Sequence, residues 1–144
     1  MLKIYYNLEL TYGIADLIKA SQFILENSKS NLLLISGNVG AGKTTLIKNY
    51  CKLIGVSENV SSPTYTLINE YNSEEGLVVH MDLYRLKNVE ELNNLGVTEY
   101  FNNRQVIIEW PEIIIDEIST NYTHINISYF DDNTRIINIS NHMI

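Results

Sequence analysis

Gly37-Asn38-Val39-Gly40-Ala41-Gly42-Lys43-Thr44 is a complete G-x-x-x-x-G-K-[ST] run, and Thr45 extends it by a second threonine. The apolar run Leu32-Leu33-Leu34-Ile35 enters it, and a helix-compatible stretch, Thr44 to Ile54, leaves it. That strand–loop–helix setting separates a phosphate-binding loop from a chance match. Glycines at three positions let the backbone curl with its N–H groups turned towards a phosphate chain, and the start of the following helix adds partial positive charge. Lys43 then reaches the β- and γ-phosphates, and Thr44 offers its hydroxyl to Mg²⁺. Gly37, Asn38, Gly40, Ala41, Gly42, Lys43, Thr44 and Thr45 are therefore the expected nucleotide cradle. A turn that merely joined strand to helix would leave Lys43 and Thr44 unexplained.

Around this loop the chain reads as alternating strands and helices. Leu2 to Leu10 suits a first strand, after which Thr11 caps a helix with Ile14, Leu17, Ile18, Ser21, Ile24 and Leu25 at helical spacing. Tyr65 to Tyr71 and Leu77 to Met81 read as two strands joined by the polar turn Asn72-Ser73-Glu74-Glu75-Gly76. Val89 to Leu95 suggests a short helix that Val97 to Phe101 continues past Gly96, and Arg104 to Glu109 is a further strand. Residues 122–130 and 134–140 form a hairpin across Asp131-Asp132-Asn133. The expected fold is an α/β, P-loop NTPase-like single domain over 1–144, with a parallel-cored sheet, antiparallel additions and flanking helices. Ligands of such sheets sit at the carboxyl ends of the strands.

Bulk properties narrow the possibilities. At 144 residues, 45% of them hydrophobic, the chain can bury a real core, and its longest apolar runs are too short to cross a bilayer. Met1-Leu2-Lys3-Ile4-Tyr5 lacks the basic segment and apolar core of an export signal, and Cys51 has no second cysteine to pair with, so a reducing cytoplasm is the expected location. Cys51 reads as a small core residue rather than a nucleophile. A net charge of −7 makes the isolated chain a poor ligand for RNA or DNA, though it can serve a nucleic-acid pathway through a protein partner.

A Mg²⁺–nucleotide site also needs acids at strand ends. Asp82 ends the run Leu77-Val78-Val79-His80-Met81, and Glu109 ends Val106-Ile107-Ile108. One acid is expected to serve Mg²⁺ and the other to orient the attacking water, and the sequence leaves the allocation open. Ser61-Ser62-Pro63-Thr64-Tyr65-Thr66 reads equally as a strand-entry turn and as a switch in which Thr64 meets the γ-phosphate or Mg²⁺. Arg85 suits either a finger on the transferring phosphate or a surface pair with Glu90 or Glu91. His80 reads as a packed, hydrogen-bonded histidine. Trp110 covers the phosphate site, anchors a partner or simply packs.

Taken together, these blocks resemble the TsaE family, small bacterial ATPases of tRNA threonylcarbamoyladenosine biosynthesis. The family pattern, roughly GDxGAGKTT, SPTYT, HxDLYRL and EWP, matches Gly37 to Thr45, Ser62 to Thr66, His80 to Leu86 and Glu109 to Pro111 in order. The resemblance implies a domain that binds ATP or ADP with Mg²⁺ and hydrolyses ATP slowly. It also implies a complex with two companion proteins, a threonylcarbamoyl-transferase protein and its paralogue, that modify adenosine 37 of ANN-decoding tRNAs. This chain would meet tRNA only through that complex, away from any membrane. By the same resemblance Lys43, Thr64 and Glu109 form the catalytic set, with Trp110 beside Glu109, and Thr44, Asp82 and Glu109 the metal set. Asn38 departs from the family's usual Asp and removes a charge beside the loop while leaving backbone binding intact.

Other activities on such a fold fit less well. A small-molecule kinase needs several arginines and a lid, whereas Arg85, Arg104 and Arg135 are widely spread and no second glycine-rich segment is visible. A GTPase would need a guanine-reading Asn-Lys-x-Asp block, which is absent. An assembly factor driven by nucleotide occupancy stays open beside the ATPase.

Overall fold

The computed structural model describes residues 3–144, and its strands and helices follow the expected alternation. They are β1 (Lys3–Gly13), α1 (Leu17–Asn27), β2 (Leu32–Ser36), α2 (Lys43–Leu53), β3 (Ile68–Ser73), β4 (Gly76–Asp82), α3 (Val89–Leu95), β5 (Gln105–Glu109), β6 (Tyr122–Asp131) and β7 (Thr134–Met143). One seven-stranded sheet has the order β1-β7-β6-β2-β5-β4-β3. Its centre, β6-β2-β5-β4, is parallel. Antiparallel pairs extend it on both sides, with β7 and β1 beyond β6 and with β3 beyond β4.

The strand before the glycine-rich loop explains why the sheet is covered on both faces. Every side chain of Leu32 to Ser36 is buried. Successive strand residues point to opposite faces. Leu33 and Ile35 accordingly join Ile107, Ile125 and Ile127 beneath α1 and α2, which contribute Ala20, Ile24, Leu46, Ile47 and Tyr50. Leu32 and Leu34 join Val79, Met81, Val106 and Ile108 on the other face, closed by Leu92 of α3 with Val97 and Ile114. A continuous apolar run of this kind is what a central parallel strand requires.

Three expectations are corrected. The first strand was placed from Leu2, which lies outside the described residues, to Leu10, with a helix from Thr11. Instead β1 continues to Gly13, because Thr11 and Tyr12 pair with Ile136 and Arg135 of β7. Helix α1 starts at Leu17, buries Ala20, Ser21 and Ile24, and leaves Ile14, Ile18 and Leu25 exposed. The strand expected from Tyr65 begins at Ile68, because Thr64 to Thr66 turn and Leu67 takes a left-handed φ of 67°, its N–H bonded to the Pro63 carbonyl at 2.7 Å. Finally, Gly96 at φ 64° ends α3, and Val97–Tyr100 forms a separate 3-10 turn rather than a continuation.

Candidate active site

The register of the parallel strands brings the loop and both acids to one level. Glu109 stands beside Ile35 on one side and beside Asp82 on the other. The segment after Ile35 must therefore leave the sheet directly over the two carboxylates. Gly37 passes so close to β6 that a Cβ there would lie 2.7 Å from the Ile127 carbonyl oxygen. Gly42 has φ 99° and open space where a side chain would be, which lets the chain turn into α2 without walling off the cradle. The first α2 bond runs from Leu46 N–H to the Gly42 carbonyl at 3.0 Å. By helix geometry the amides of Lys43, Thr44 and Thr45 precede the first carbonyl they could reach, which gives the cleft a positive end.

That cleft has a volume of about 360 Å³, and Lys43, Thr44, Thr64, Asp82, Glu109 and Trp110 all line it. Lys43, Asp82 and Glu109 are each buried. The Lys43 ammonium donates to the carbonyls of Gly37 and Asn38 and sits 4.1 Å from the centroid of the Trp110 ring. Burial pulls the Lys43 pKa below its ordinary value, and the nearby carboxylates of Glu109, Asp82 and Glu112 work against that shift. Thr44 Oγ1 donates to Glu109 Oε1 at 3.2 Å, and Thr64 Oγ1 donates to Asp82 Oδ2 at 3.3 Å. Asp82 Oδ1 accepts from the Tyr84 N–H at 3.0 Å, and the Leu67 carbonyl accepts from the Asp82 N–H at 3.0 Å. The Ser61–Thr66 segment is thus tied to the acid that ends β4. Thr45 is exposed at the cleft margin.

The oxygen-rich set suits a hard cation. Among the described residues no group of three or more His, Cys, Asp or Glu is placed to hold a metal alone. A Mg²⁺ ion fits this set when phosphate oxygens and water complete its coordination, because such ions are commonly held by one or two carboxylates plus substrate.

Trp110 packs at the wall of the cleft. Its backbone is left-handed at φ 56°, its ring lies over Lys43, and Tyr84 packs against it with centroids 4.8 Å apart. Among the described residues Arg85 forms no ion pair with Glu90 or Glu91; it lies over the Tyr65 ring at 4.3 Å. Cys51 is fully buried, and burial pushes its thiol up to about 12, as suits a core residue. His80 is packed and hydrogen-bonded, its Nε2 2.8 Å from Glu109 Oε2.

Two features of the site lie outside the sequence reading. The C-terminal hairpin, for which the sequence suggested no place near the loop, runs alongside it: Arg135 Nε donates to the Ala41 carbonyl at 3.2 Å, and Tyr129 lines a second hollow of about 310 Å³ on the β6 side. No local signal announces that contact. The pairing of His80 with Glu109 had a signal in the alternation Val78, His80, Asp82, which puts the histidine on the same sheet face as the site acids.

Comparison with known proteins points one way. Residues 12–137 match the family model described as threonylcarbamoyl adenosine biosynthesis protein TsaE. The chain is similar to the tRNA threonylcarbamoyladenosine biosynthesis protein TsaE of Haemophilus influenzae, with 41% identity over 109 residues that cover 75% of this chain and 69% of the relative. It is 35% identical over 132 residues to the protein of the same name from Bacillus subtilis, covering 91% of this chain and 79% of that one. The crystal structure of YdiB from Bacillus subtilis shares the fold, with a TM-score of 0.68 at 22% identity over 95% of this chain and 88% of that chain.

Proposed function

This chain belongs to the TsaE family, and from that premise we propose that it is a Mg²⁺-dependent ATPase of tRNA threonylcarbamoyladenosine biosynthesis. It hydrolyses ATP slowly and works in the cytoplasm within a complex of two companion proteins, the threonylcarbamoyl-transferase protein and its paralogue. Through them it serves adenosine 37 of ANN-decoding tRNAs. The observation that carries the enzymatic part is the convergence of Lys43, Thr44, Asp82 and Glu109 in one cleft at the ends of three parallel strands.

Each side chain has a task that its position suits. The α2 amides and Lys43 hold the phosphates. Thr44 and Asp82 would hold the metal, which would supply positive charge against the negative charge that develops on the phosphates. Glu109, nearly shut off from solvent and bonded on both oxygens before nucleotide enters, orients and deprotonates the attacking water. Thr64, bonded to Asp82, links the metal site to the rest of the Ser61–Thr66 segment.

Slow turnover by the isolated chain is supported by the way the site satisfies itself. Lys43 is occupied by two loop carbonyls and covered by Trp110, and Thr44 is occupied by Glu109. Nucleotide must displace these internal partners, and companion proteins can bias that exchange. The test is ATP hydrolysis by the chain alone and with both companions and tRNA, read beside threonylcarbamoyl incorporation. Low turnover alone that rises in the complex supports the proposal. Full, repeated tRNA modification by a variant unable to hydrolyse ATP would make the protein an assembly factor governed by occupancy.

A further inference from the structure

His80 lies in the middle of β4 with no exposed surface, and Glu109 at the end of β5 is only 2% exposed. The alternation of β4 places Val78, His80 and Asp82 on one face, and the parallel register sets Asp82 beside Glu109 and His80 beside Ile107. His80 Nε2 therefore meets Glu109 Oε2 at 2.8 Å from the strand below, while Thr44 Oγ1 meets Oε1 at 3.2 Å from the start of α2. A carboxylate only accepts, so Nε2 carries the hydrogen. Among the described residues His80 Nδ1 has no partner. A ring held by its Nε2 alone is spent entirely on the carboxylate.

The two anchors of Glu109 differ in permanence. The Thr44 hydroxyl is the group the proposed function assigns to the metal, so nucleotide entry takes that bond away. His80 sits below the cleft, out of reach of the ligand, and keeps its bond. We infer that His80 is the positioning residue that holds the Glu109 carboxylate in its water-orienting pose once Thr44 has turned to the metal. A carboxylate free to rotate about its last torsion would spend little time aligned with the attacking water, and small misplacements of a catalytic group cost large factors in rate. This inference rests on the reading of Glu109 as the hydrolytic acid.

The experiment compares four variants of the full chain in single-turnover ATP hydrolysis, with ADP affinity and thermal melting measured alongside. H80L fills the space with no donor, and H80Q places an amide N–H where Nε2 stands. E109Q and the H80L/E109Q double variant complete a cycle. H80L is expected to lose turnover by about tenfold or more, with ADP affinity within about threefold of wild type. H80Q is expected to recover turnover to within about threefold, and the double variant to be no slower than E109Q. If H80L does not fold, H80M replaces it, since it also fills the site without donating. H80Q as slow as H80L, or H80L as fast as wild type beside a slow E109Q, overturns the inference alone. Wild-type turnover in E109Q overturns the reading of Glu109 and the inference with it.

Discussion

Thr44 and Glu109, 65 positions apart in the sequence, are joined by a hydrogen bond from Oγ1 to Oε1 at 3.2 Å. The bond ties the first turn of α2 to the end of β5. It makes the cleft a set of polar groups that satisfy one another: hydroxyl with carboxylate, ammonium with loop carbonyls, Thr64 with Asp82. Buried polar groups need such partners, and a site that provides its own folds without its ligand. The consequence is a nucleotide-binding step that exchanges internal bonds for external ones.

Lys43 is the one lysine lining the cleft among the described residues and is the proposed cation for the phosphates. Lys43→Ala should weaken ATP and ADP binding about 10- to 150-fold, the range expected for lost hydrogen bonds to a charged group. Gly37 and Asn38, whose carbonyls it leaves behind, are not buried residues, so the fold should survive. Isothermal titration of both nucleotides checks this, and unchanged affinity would remove the phosphate-loop reading.

Glu109 is placed on chemistry rather than on binding. Glu109→Gln preserves the shape and an acceptor for Thr44 but cannot take a proton. Turnover should fall about 10²- to 10⁴-fold, with nucleotide affinity within about threefold. Normal turnover by this variant, measured by phosphate release, would sink the assignment.

Trp110 is the single tryptophan, and the Lys43 ammonium stands 4.1 Å from its ring. A ligand that draws Lys43 off the ring changes the electrostatic surroundings of the indole. ADP titration should therefore give a saturable change in tryptophan emission, and Lys43→Ala should give none. A flat emission trace over a range where calorimetry registers full occupancy would show that Lys43 and Trp110 stay together.

How much of this was legible depends on how local each cause is. The glycine-rich loop, the strand behind it and the acids ending β4 and β5 follow from contiguous residues, and all of them meet at the cleft. The limits of β1 and α1 depend on the pairing of Thr11 and Tyr12 with β7, over 120 residues away, which no window of sequence contains. The delayed start of β3 depends on Leu67 being drawn back to Pro63 and across to Asp82. The same holds at the site: Asp82 and Glu109 could be picked singly, but the grip of His80 on Glu109 and of Arg135 on the loop comes from strand order.

With 17 acidic against 10 basic residues, the chain has little with which to neutralise a phosphate backbone. Alone it should bind tRNA no more tightly than about 10⁻⁵ M at about 0.15 M salt, and the companion proteins should confer retention. Tight, salt-sensitive binding by the isolated chain in a filter or anisotropy assay would contradict an indirect route to tRNA.

Acid sensitivity should arise at β6 and β7. His124 Nε2 bonds to Ser36 Oγ at 2.8 Å, and His142 stacks on Tyr122 with ring centroids 4.5 Å apart. Burial holds both imidazoles below the ordinary histidine value of 6.5; for His124 the neighbouring His142 adds to the shift and Glu112 partly opposes it. Below about pH 6.5 the unfolded chain takes up protons that the folded chain does not, so folding stability falls as pH drops from there towards the folded values. Above that point both states are neutral at these positions, and they contribute no slope. The melting temperature should therefore decline from about pH 6.5 to 5, and His124→Gln should make the decline shallower. Calorimetric melts of the two proteins across that range decide it: parallel curves would mean that the acid sensitivity comes from other groups.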